Sequence, residues 1–390
     1  MHLKILGIDA MNIRDGGGLT HLREIISNIH DTSLLFDQVI VWGNQSCLDA
    51  LPNRSWLIKI QPLRENAGII KTTLWQVFQL SSAAEKMGCS ILFIAGGSSF
   101  TSFKPYVTIC HNMLPFTENA LELYGVRSRR LKFQLLRFIQ LQTFRRAKGV
   151  IFLSNWAMQH LRSLMAKSDL LYTVIPHGIN SGFHITNRVH RNIADCSQEQ
   201  PFTIIYISRI EPYKKQLEVI QCLNKVRLNT GWPIRLVLAG LASDHSYLQE
   251  MHQLIQKSSR DENWISYMGP VPYENLREIY TSADLAVFAS TCENMPIILL
   301  EKMAAGLPIV CSNVAPMPDF LEGAGLLVDI EDETDFSIKL QSLIQNREYR
   351  TKLSQIAQIN AVKYQWSKTA KETFQFLFSS QQLIHETVRH

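Results

Sequence analysis

Between Phe288 and Ser312 the chain reads FASTCENMPIILLEKMAAGLPIVCS, and this stretch confines it to a small set of folds. An apolar run ending at Ala289 predicts a buried strand, and Ser290 and Thr291 turn the chain. Pro296 stands where a helix would begin, because a proline at the first helical position forfeits only a hydrogen bond that is already orphaned. Ile297, Leu300, Met303 and Ala304 face inward at helical spacing, and Gly306-Leu307-Pro308 ends the helix before a second strand, Ile309–Cys311. A strand, a helix and a strand so closely spaced are a piece of an open parallel sheet. The segment places Glu293 on the loop at the strand's C-terminal edge and Glu301 near the second turn of the helix. That edge is where such sheets bind ligands, and a helix N-terminus there offers N–H groups to an anion. A carboxylate facing the same pocket suits sugar hydroxyls better than phosphate. Two glutamates eight apart also fit a solvated helix face, so the weight comes from the rest of the chain.

The same alternation runs through both halves. Strand-like runs at Leu3–Asp9, Val39–Trp42, Trp56–Ile60, Ile91–Ile94, Tyr106–Cys110, Val150–Leu153 and Leu171–Ile175 are separated by helical patterns at Leu19–His30, Thr72–Met87, Arg127–Lys148 and from Asn155. A second series begins at Thr203–Ile207, continues through Ile234–Ala239, Trp264–Tyr267 and Ala283–Ala289, and passes the opening stretch to Leu326–Val328 and C-terminal helices. Strict alternation in each half predicts two doubly wound α/β domains with parallel sheets, facing each other across a cleft. The 390 residues suit two domains. The polar, aperiodic stretch near Asn180–Gln200 is the expected connection. The expected boundaries are 1–182, a linker at 183–200, a second domain at 201–371, and a C-terminal helix at 372–390 packing back on the first domain.

Composition narrows the classes. The seven cysteines form no CxxC pair and no cluster with histidine, which argues against a zinc site or a disulfide framework and for a reducing compartment. The first residues lead directly into a strand, so no signal peptide is expected, and no uncharged apolar run reaches membrane-spanning length. Net charge is uneven. Residues 1–182 hold 19 Lys+Arg against 11 Asp+Glu, and residues 183–390 hold 20 against 23. The basic half points to an anionic partner.

Four further features carry candidate chemistry. Gly16-Gly17-Gly18 lies between the first strand and helix; the spacing is not GxGxxG, so the dinucleotide reading fails its own conditions, and a ligand loop and a plain tight turn both stay open. His111 follows a strand and either faces the crevice or bonds its own loop. Arg209 and Lys214, five apart on the loop after Ile207, can converge on a diphosphate, although alone they would also suit a solvated loop. Residues 127–148, RSRRLKFQLLRFIQLQTFRRAK, contain eight basic residues and no acidic one, with Leu131, Leu135, Phe138 and Leu141 at helical spacing beside Phe133 and Ile139. This segment reads as a basic amphipathic helix on an anionic membrane surface, or as a packed helix with a basic outer face. No nucleic-acid motif accompanies it.

Taken together, Glu293-x7-Glu301 with its continuation Met303–Val310, Ser208-Arg209 through Lys214, Leu153-Ser154, Ile175-Pro176-His177-Gly178, Gly16–Gly18 and His111 resemble the family-4 retaining glycosyltransferases. That resemblance implies the GT-B fold, two Rossmann-like domains, and transfer of a hexose from a UDP- or GDP-linked donor to a saccharide or lipid-linked acceptor in bacterial surface-polysaccharide biosynthesis. It implies that Arg209 and Lys214 neutralise the departing diphosphate, that Glu293 accepts from sugar hydroxyls and Glu301 from the ribose, and that His111 lies near the transferred sugar. Gly17, Gly18, Asn294, Met295, Pro296 and Ile297 would meet the donor. The chain departs from the family at Met295-Pro296, where Phe-Gly is common, at Lys215, where glycine is usual, and at His177, where Asn often stands. With no Asp-x-Asp motif, catalysis is expected to need no metal and no resident cofactor. The expected location is cytoplasmic, peripheral on the inner face of the plasma membrane. Alternatives are a sugar-nucleotide epimerase of the same fold and a non-catalytic sugar-nucleotide-binding partner.

Overall fold

The computed structural model describes residues 3–14, 16–29, 35–64, 67–124, 127–165, 170–186, 188–259 and 263–387; the side chains of 127–129 and 383–387 are not described. Contacts divide the chain into two compact units. The first takes the described residues of Met1–Phe116, Val126–Gly178 and Tyr364–His390, and the second those of Thr117–Gly125 and Ile179–Lys363. The chain thus changes unit at Gly178 and at Tyr364, where residues 182 and 371 were expected.

The N-terminal portion runs β1 (Ile5–Asp9), α1 (Gly16–Ser27), β2 (Gln38–Trp42), α2 (Gln45–Asp49), β3 (Leu57–Ile60), α3 (Ile69–Phe78), α4 (Leu80–Lys86), β4 (Cys89–Ile94), β5 (Tyr106–Cys110), α5 (Glu118–Glu122), α6 (Arg127–Arg146), β6 (Gly149–Phe152), α7 (Asn155–Met165) and β7 (Leu171–Val174). Its seven strands form one parallel sheet in the order β3-β2-β1-β4-β5-β6-β7. A parallel sheet is covered on both faces, which is why these strands read as continuous apolar runs. Right-handed crossovers from β3 to β4, β5 to β6 and β6 to β7 all run the same way across the sheet, so α3, α4, α6 and α7 share one face. Trp75, Leu80, Phe144 and Leu161, one from each of these helices, accordingly meet in a single buried cluster. Two expectations are corrected here. The helix expected over Thr72–Met87 is two helices that part at Gln79, whose φ of −121° leaves the helical region. Gly16–Gly18 form the first turn of α1 and not a loop before it, so α1 starts three residues earlier than expected.

The remaining elements are β8 (Phe202–Ile207), α8 (Gln216–Thr230), β9 (Ile234–Ala239), α9 (His245–Ser258), β10 (Ile265–Tyr267), α10 (Leu276–Ser282), β11 (Leu285–Phe288), α11 (Ile297–Ala304), β12 (Ile309–Ser312), α12 (Met317–Leu321), β13 (Leu326–Val328), α13 (Glu333–Gln345), α14 (Arg347–Ala361) and α15 (Trp366–Thr387). The second sheet is parallel, in the order β10-β9-β8-β11-β12-β13. Strand order reverses between β8 and β11, and that switch point opens a crevice at the C-terminal edge. Caps follow the expected chemistry: Asp244 accepts from the N–H groups of Ser246 and Tyr247, and Asp332 does the same for Thr334 and Asp335. Helix α10 is preceded by a 3-10 turn, Tyr273–Asn275. Helix α15 belongs to the first unit and packs on α1, with Phe374 and Phe378 edge-on to Phe36. Gly178 is required where the chain leaves this unit, since a Cβ there would lie 2.1 Å from the main-chain nitrogen of Trp366.

Candidate active site

The site residues of the second unit lie on the two loops that flank its switch point and on α11. After β8, Ser208 and Arg209 lead to the 3-10 turn Pro212–Lys214. After β11, Ser290 to Pro296 lead into α11. The main chain joins the loops: Thr291 donates to the carbonyl of Tyr213 through its N–H at 2.8 Å and its hydroxyl at 3.1 Å. The Tyr206 hydroxyl donates to the carbonyl of Lys214, and Gln216 donates to Ser208 Oγ and the Arg209 carbonyl, so the cation-bearing loop is held from beneath.

Lys214 and Glu293 form an ion pair between these loops. The Lys214 side chain is 10% exposed and that of Glu293 15%. Burial, the largest single influence, lowers the lysine's pKa, but the facing Glu293 carboxylate together with Tyr206 outweighs it and the net direction is upward. Arg209 is exposed and donates to Ser243 Oγ at 3.3 Å. The two cations therefore differ: one is buried and paired inside the site, the other reaches out from its rim.

Glu301 is 1% exposed, and Tyr280 donates to its Oε2 at 2.9 Å. Burial pushes its carboxyl up to about 7, against hydrogen bonds from Tyr280 and Tyr273 that favour the ionised form. An ionised carboxylate accepts about four hydrogen bonds, so acceptor capacity remains beyond the two tyrosines. Asn294 and Met295 are buried at the mouth of the loop. Pro296 caps α11 and is not its first residue, because its ψ of 86° is not helical; Ile297 takes that place. The inward face of α11 is wider than the apolar spacing predicted: Leu299 to Ala304 are all buried, including Glu301 and Lys302.

Tyr273 and Tyr280 carry site geometry that no sequence pattern marked, and Lys215 was marked only as a departure from the usual glycine. Lys215 has φ of +58°, in the left-handed region, which explains why glycine suits this position. The lysine is held there by ion pairs of 3.0 Å each to Glu218 and Glu331. The segment Thr117–Gly125 is a second omission: it belongs to the second unit, where Tyr124 donates to Glu211 Oε2 at 2.6 Å.

Gly17, Gly18 and His111 lie in the first unit. Among the described residues, a Cβ on Gly17 or Gly18 would meet nothing within 4 Å. His111 joins two other imidazoles. His21 Nδ1 lies 2.9 Å from His177 Nδ1, and the His111 ring stacks on His177 with centroids 6.0 Å apart. Burial pushes His111 down to about 4, against a main-chain hydrogen bond at Ala95. It is neutral at physiological pH and offers a hydrogen bond, not a charge. Its Nε2 is buried with no partner among the described residues.

In the basic helix α6, Leu131, Leu135 and Phe138 are 67%, 59% and 60% exposed. Its apolar residues thus divide: Phe144 is buried in the core with Leu141 against it, and the stripe from Leu131 to Phe138 faces solvent. Arg127 and Arg129 belong to the predicted basic face, but their side chains lie outside the described residues. No helix among the described residues is long and apolar enough to cross a membrane.

Comparison with known proteins follows the same geography. The family model for glycosyl transferases group 1 matches residues 194–359, within the second unit. O-antigen chain mannosyltransferase B of Escherichia coli is 29% identical over 169 residues, 43% of this chain and 44% of that protein, so the match spans less than half of the relative's length. Sucrose-phosphate synthase of Thermosynechococcus elongatus superposes with a TM-score of 0.73 at 17% identity, covering 98% of this chain and 100% of its own. Anabaena HepE, solved in complex with UDP and glucose, gives 0.67 at 19% identity and covers 100% of both chains. The segment 194–359 belongs to the glycosyl transferases group 1, and the chain that carries it has the GT-B fold.

Proposed function

We propose that this protein is a retaining hexosyltransferase that moves a sugar from a UDP- or GDP-linked donor to a saccharide acceptor in bacterial surface-polysaccharide biosynthesis. The observation that carries the reading is the convergence of Lys214, Glu293, Asn294 and Glu301 at the switch point of the second unit, inside the segment matched by the family. The E. coli relative's name supports a surface polysaccharide as product, and the UDP and glucose bound by HepE support a nucleotide-sugar donor. In this reading Arg209 and Lys214 stabilise charge on the departing diphosphate, which grows toward the transition state; they act on turnover more than on binding. Glu293 holds Lys214 in place and accepts from sugar hydroxyls. Glu301 accepts from the donor ribose. Asn294, Met295, Pro296 and Ile297 line the donor, and Gly17, Gly18 and neutral His111 are the first unit's own candidate contacts for a sugar nucleotide. No metal or resident cofactor takes part.

The acceptor in this reading is lipid-linked, and the enzyme works peripherally on the cytoplasmic face of an anionic membrane. The exposed stripe Leu131, Leu135 and Phe138 supports this, and so does α3 on the same face of the sheet. There Ile69, Ile70, Leu74 and Phe78 are 69%, 77%, 50% and 73% exposed. Exposed apolar side chains beside basic ones match a bilayer with an anionic surface.

Thermal unfolding against UDP, GDP, ADP and CMP tests the donor assignment. A ligand at ~100 times its Kd adds about 2.7 kcal/mol, enough to raise Tm by several degrees. A rise with one nucleotide that is lost in Glu301→Ala is the expected result; no rise with any nucleotide refutes it. Nucleotide release that needs no acceptor would indicate the epimerase, and binding without turnover the non-catalytic partner.

A further inference from the structure

Strands β8 and β11 are neighbours, yet their ladder stops early. It pairs Leu285 with Ile204 and Ala286 with Ile205 and goes no further. On their outer sides the same strands stay paired to their ends, β8 through Ile207 with β9 and β11 through Phe288 with β12. The two strands therefore part at the switch point, below the loops that carry Arg209 and Lys214 on one side and Glu293 on the other. The gap is bridged by a side chain from α11. Lys302 is fully buried, and its Nζ donates to the carbonyls of Val287 at 3.2 Å and Ile207 at 3.4 Å. The rings of Phe288 and Tyr206 flank it, with centroids 5.0 and 5.4 Å from Nζ. A buried ammonium is costly unless something requires it. An apolar side chain of similar length would fill this space more cheaply but would leave two carbonyls without a donor.

We propose that Lys302 is a positioning residue of the donor site: its ammonium ties the parted ends of β8 and β11 and sets the spacing of the two loops above them. The inference rests on the donor reading only for what the loops hold. The charged and titratable groups around Lys302 are Lys214, Glu293, Glu301, Tyr206 and Cys311. Burial holds the ammonium down to about 7, so the tie is strongest below neutrality and weakens as the proton is lost. An anionic diphosphate bound above it would favour the charged form.

Amide hydrogen exchange over residues 208–214 and 291–295, corrected for intrinsic rates, reads the tie without any ligand. A charge-assisted hydrogen bond lost in this setting changes protection by ~10-fold or more. Glu301 also titrates near neutrality, so the pH series is run in the Glu301→Gln background. There protection is expected to fall between about pH 6 and about pH 8, around the ordinary range for a group titrating near neutrality. Lys302→Met added to it should be poorly protected and flat across that range. Lys302→Arg, which keeps charge and donors and does not titrate, should be protected and flat. Protection and pH profile unchanged by Lys302→Met overturn the proposal. So does a pH profile unchanged by Lys302→Arg. Affinity for the nucleotide that stabilises the wild type should fall ~10-fold in Lys302→Met, on the same hydrogen-bond scale. If the wild type binds no nucleotide, the donor reading fails, and exchange still decides the role of Lys302.

Discussion

Lys214 has two jobs that mutation can separate. The site needs its charge for turnover, and the fold needs it to neutralise a largely buried carboxylate. Replacing it with alanine leaves Glu293, only 15% exposed, facing an apolar gap. Breaking a buried pair from one side costs roughly 3–5 kcal/mol, whereas replacing both partners by uncharged groups of similar shape is close to neutral. For a unit of this size each kcal/mol moves Tm by about 2–4 °C. Lys214→Ala is therefore expected to unfold on the order of 10 °C below wild type. Lys214→Met/Glu293→Gln should recover most of that loss while remaining inactive. Arg209→Ala, at an exposed rim position, should change stability by less than about 0.5 kcal/mol. Its kcat should nevertheless fall at least ~100-fold, about 2.7 kcal/mol of transition-state stabilisation. Urea unfolding gives the stabilities, and nucleotide release in the presence of acceptor gives the rates. The reasoning is refuted if the double variant is as unstable as Lys214→Ala, or if Arg209→Ala turns over at the wild-type rate.

Glu301 supplies a pH test. Its folded pKa of about 7 lies above the ordinary 4.5, so the native state holds the proton more tightly than the unfolded chain. Stability is then highest below the ordinary value and is lost as pH rises toward 7. The loss amounts to about 3 kcal/mol, since each tenfold difference in proton affinity is worth roughly 1.36 kcal/mol. Glu301→Gln should be the more stable protein at about pH 8 and lose that advantage near pH 5, and an equal gap at both would contradict this. On anionic vesicles, replacing Arg130 and Arg137 with glutamine should weaken binding by about 1 kcal/mol each. Phe78→Ser and Phe138→Ser should each weaken it by a similar or larger amount, at roughly 1.5–3 kcal/mol for a fully inserted ring. Co-sedimentation unchanged in all four would leave α6 as a packed helix with a basic outer face.

The fold was legible because parallel sheets announce themselves. Runs such as Thr203–Ile207 and Ile234–Ala239 are apolar almost without interruption, and Gly306-Leu307-Pro308 stops a helix on chemical grounds. Glu293, Lys214 and Glu301 were legible as a spacing pattern. What they touch was not, because the pairing of Lys214 with Glu293 depends on two loops far apart in sequence being tied by Thr291 and Tyr213. Lys302 was invisible for a related reason. In a helix pattern a lysine reads as solvent-facing, and only the early end of the β8–β11 ladder creates a buried place for it. The break at Gln79 was missed because Ile69, Leu74 and Phe78 keep a helical apolar pattern while facing outward. Tertiary exposure, not periodicity, separates those two cases.

The placement of α15 bears on synthesis. This helix completes the first unit, yet it follows the whole of Ile179–Lys363 in the chain. On the ribosome the second unit can therefore close its sheet while the first still lacks a covering helix, reversing the usual order in which N-terminal domains fold first. Until Trp366 and the residues after it emerge, Phe36 and the strand bearing Gly149 have no cover from Phe374, Phe376 and Phe378. A chain ending at Lys363 and released from the ribosome would thus present chaperones with a finished second unit and an unfinished first.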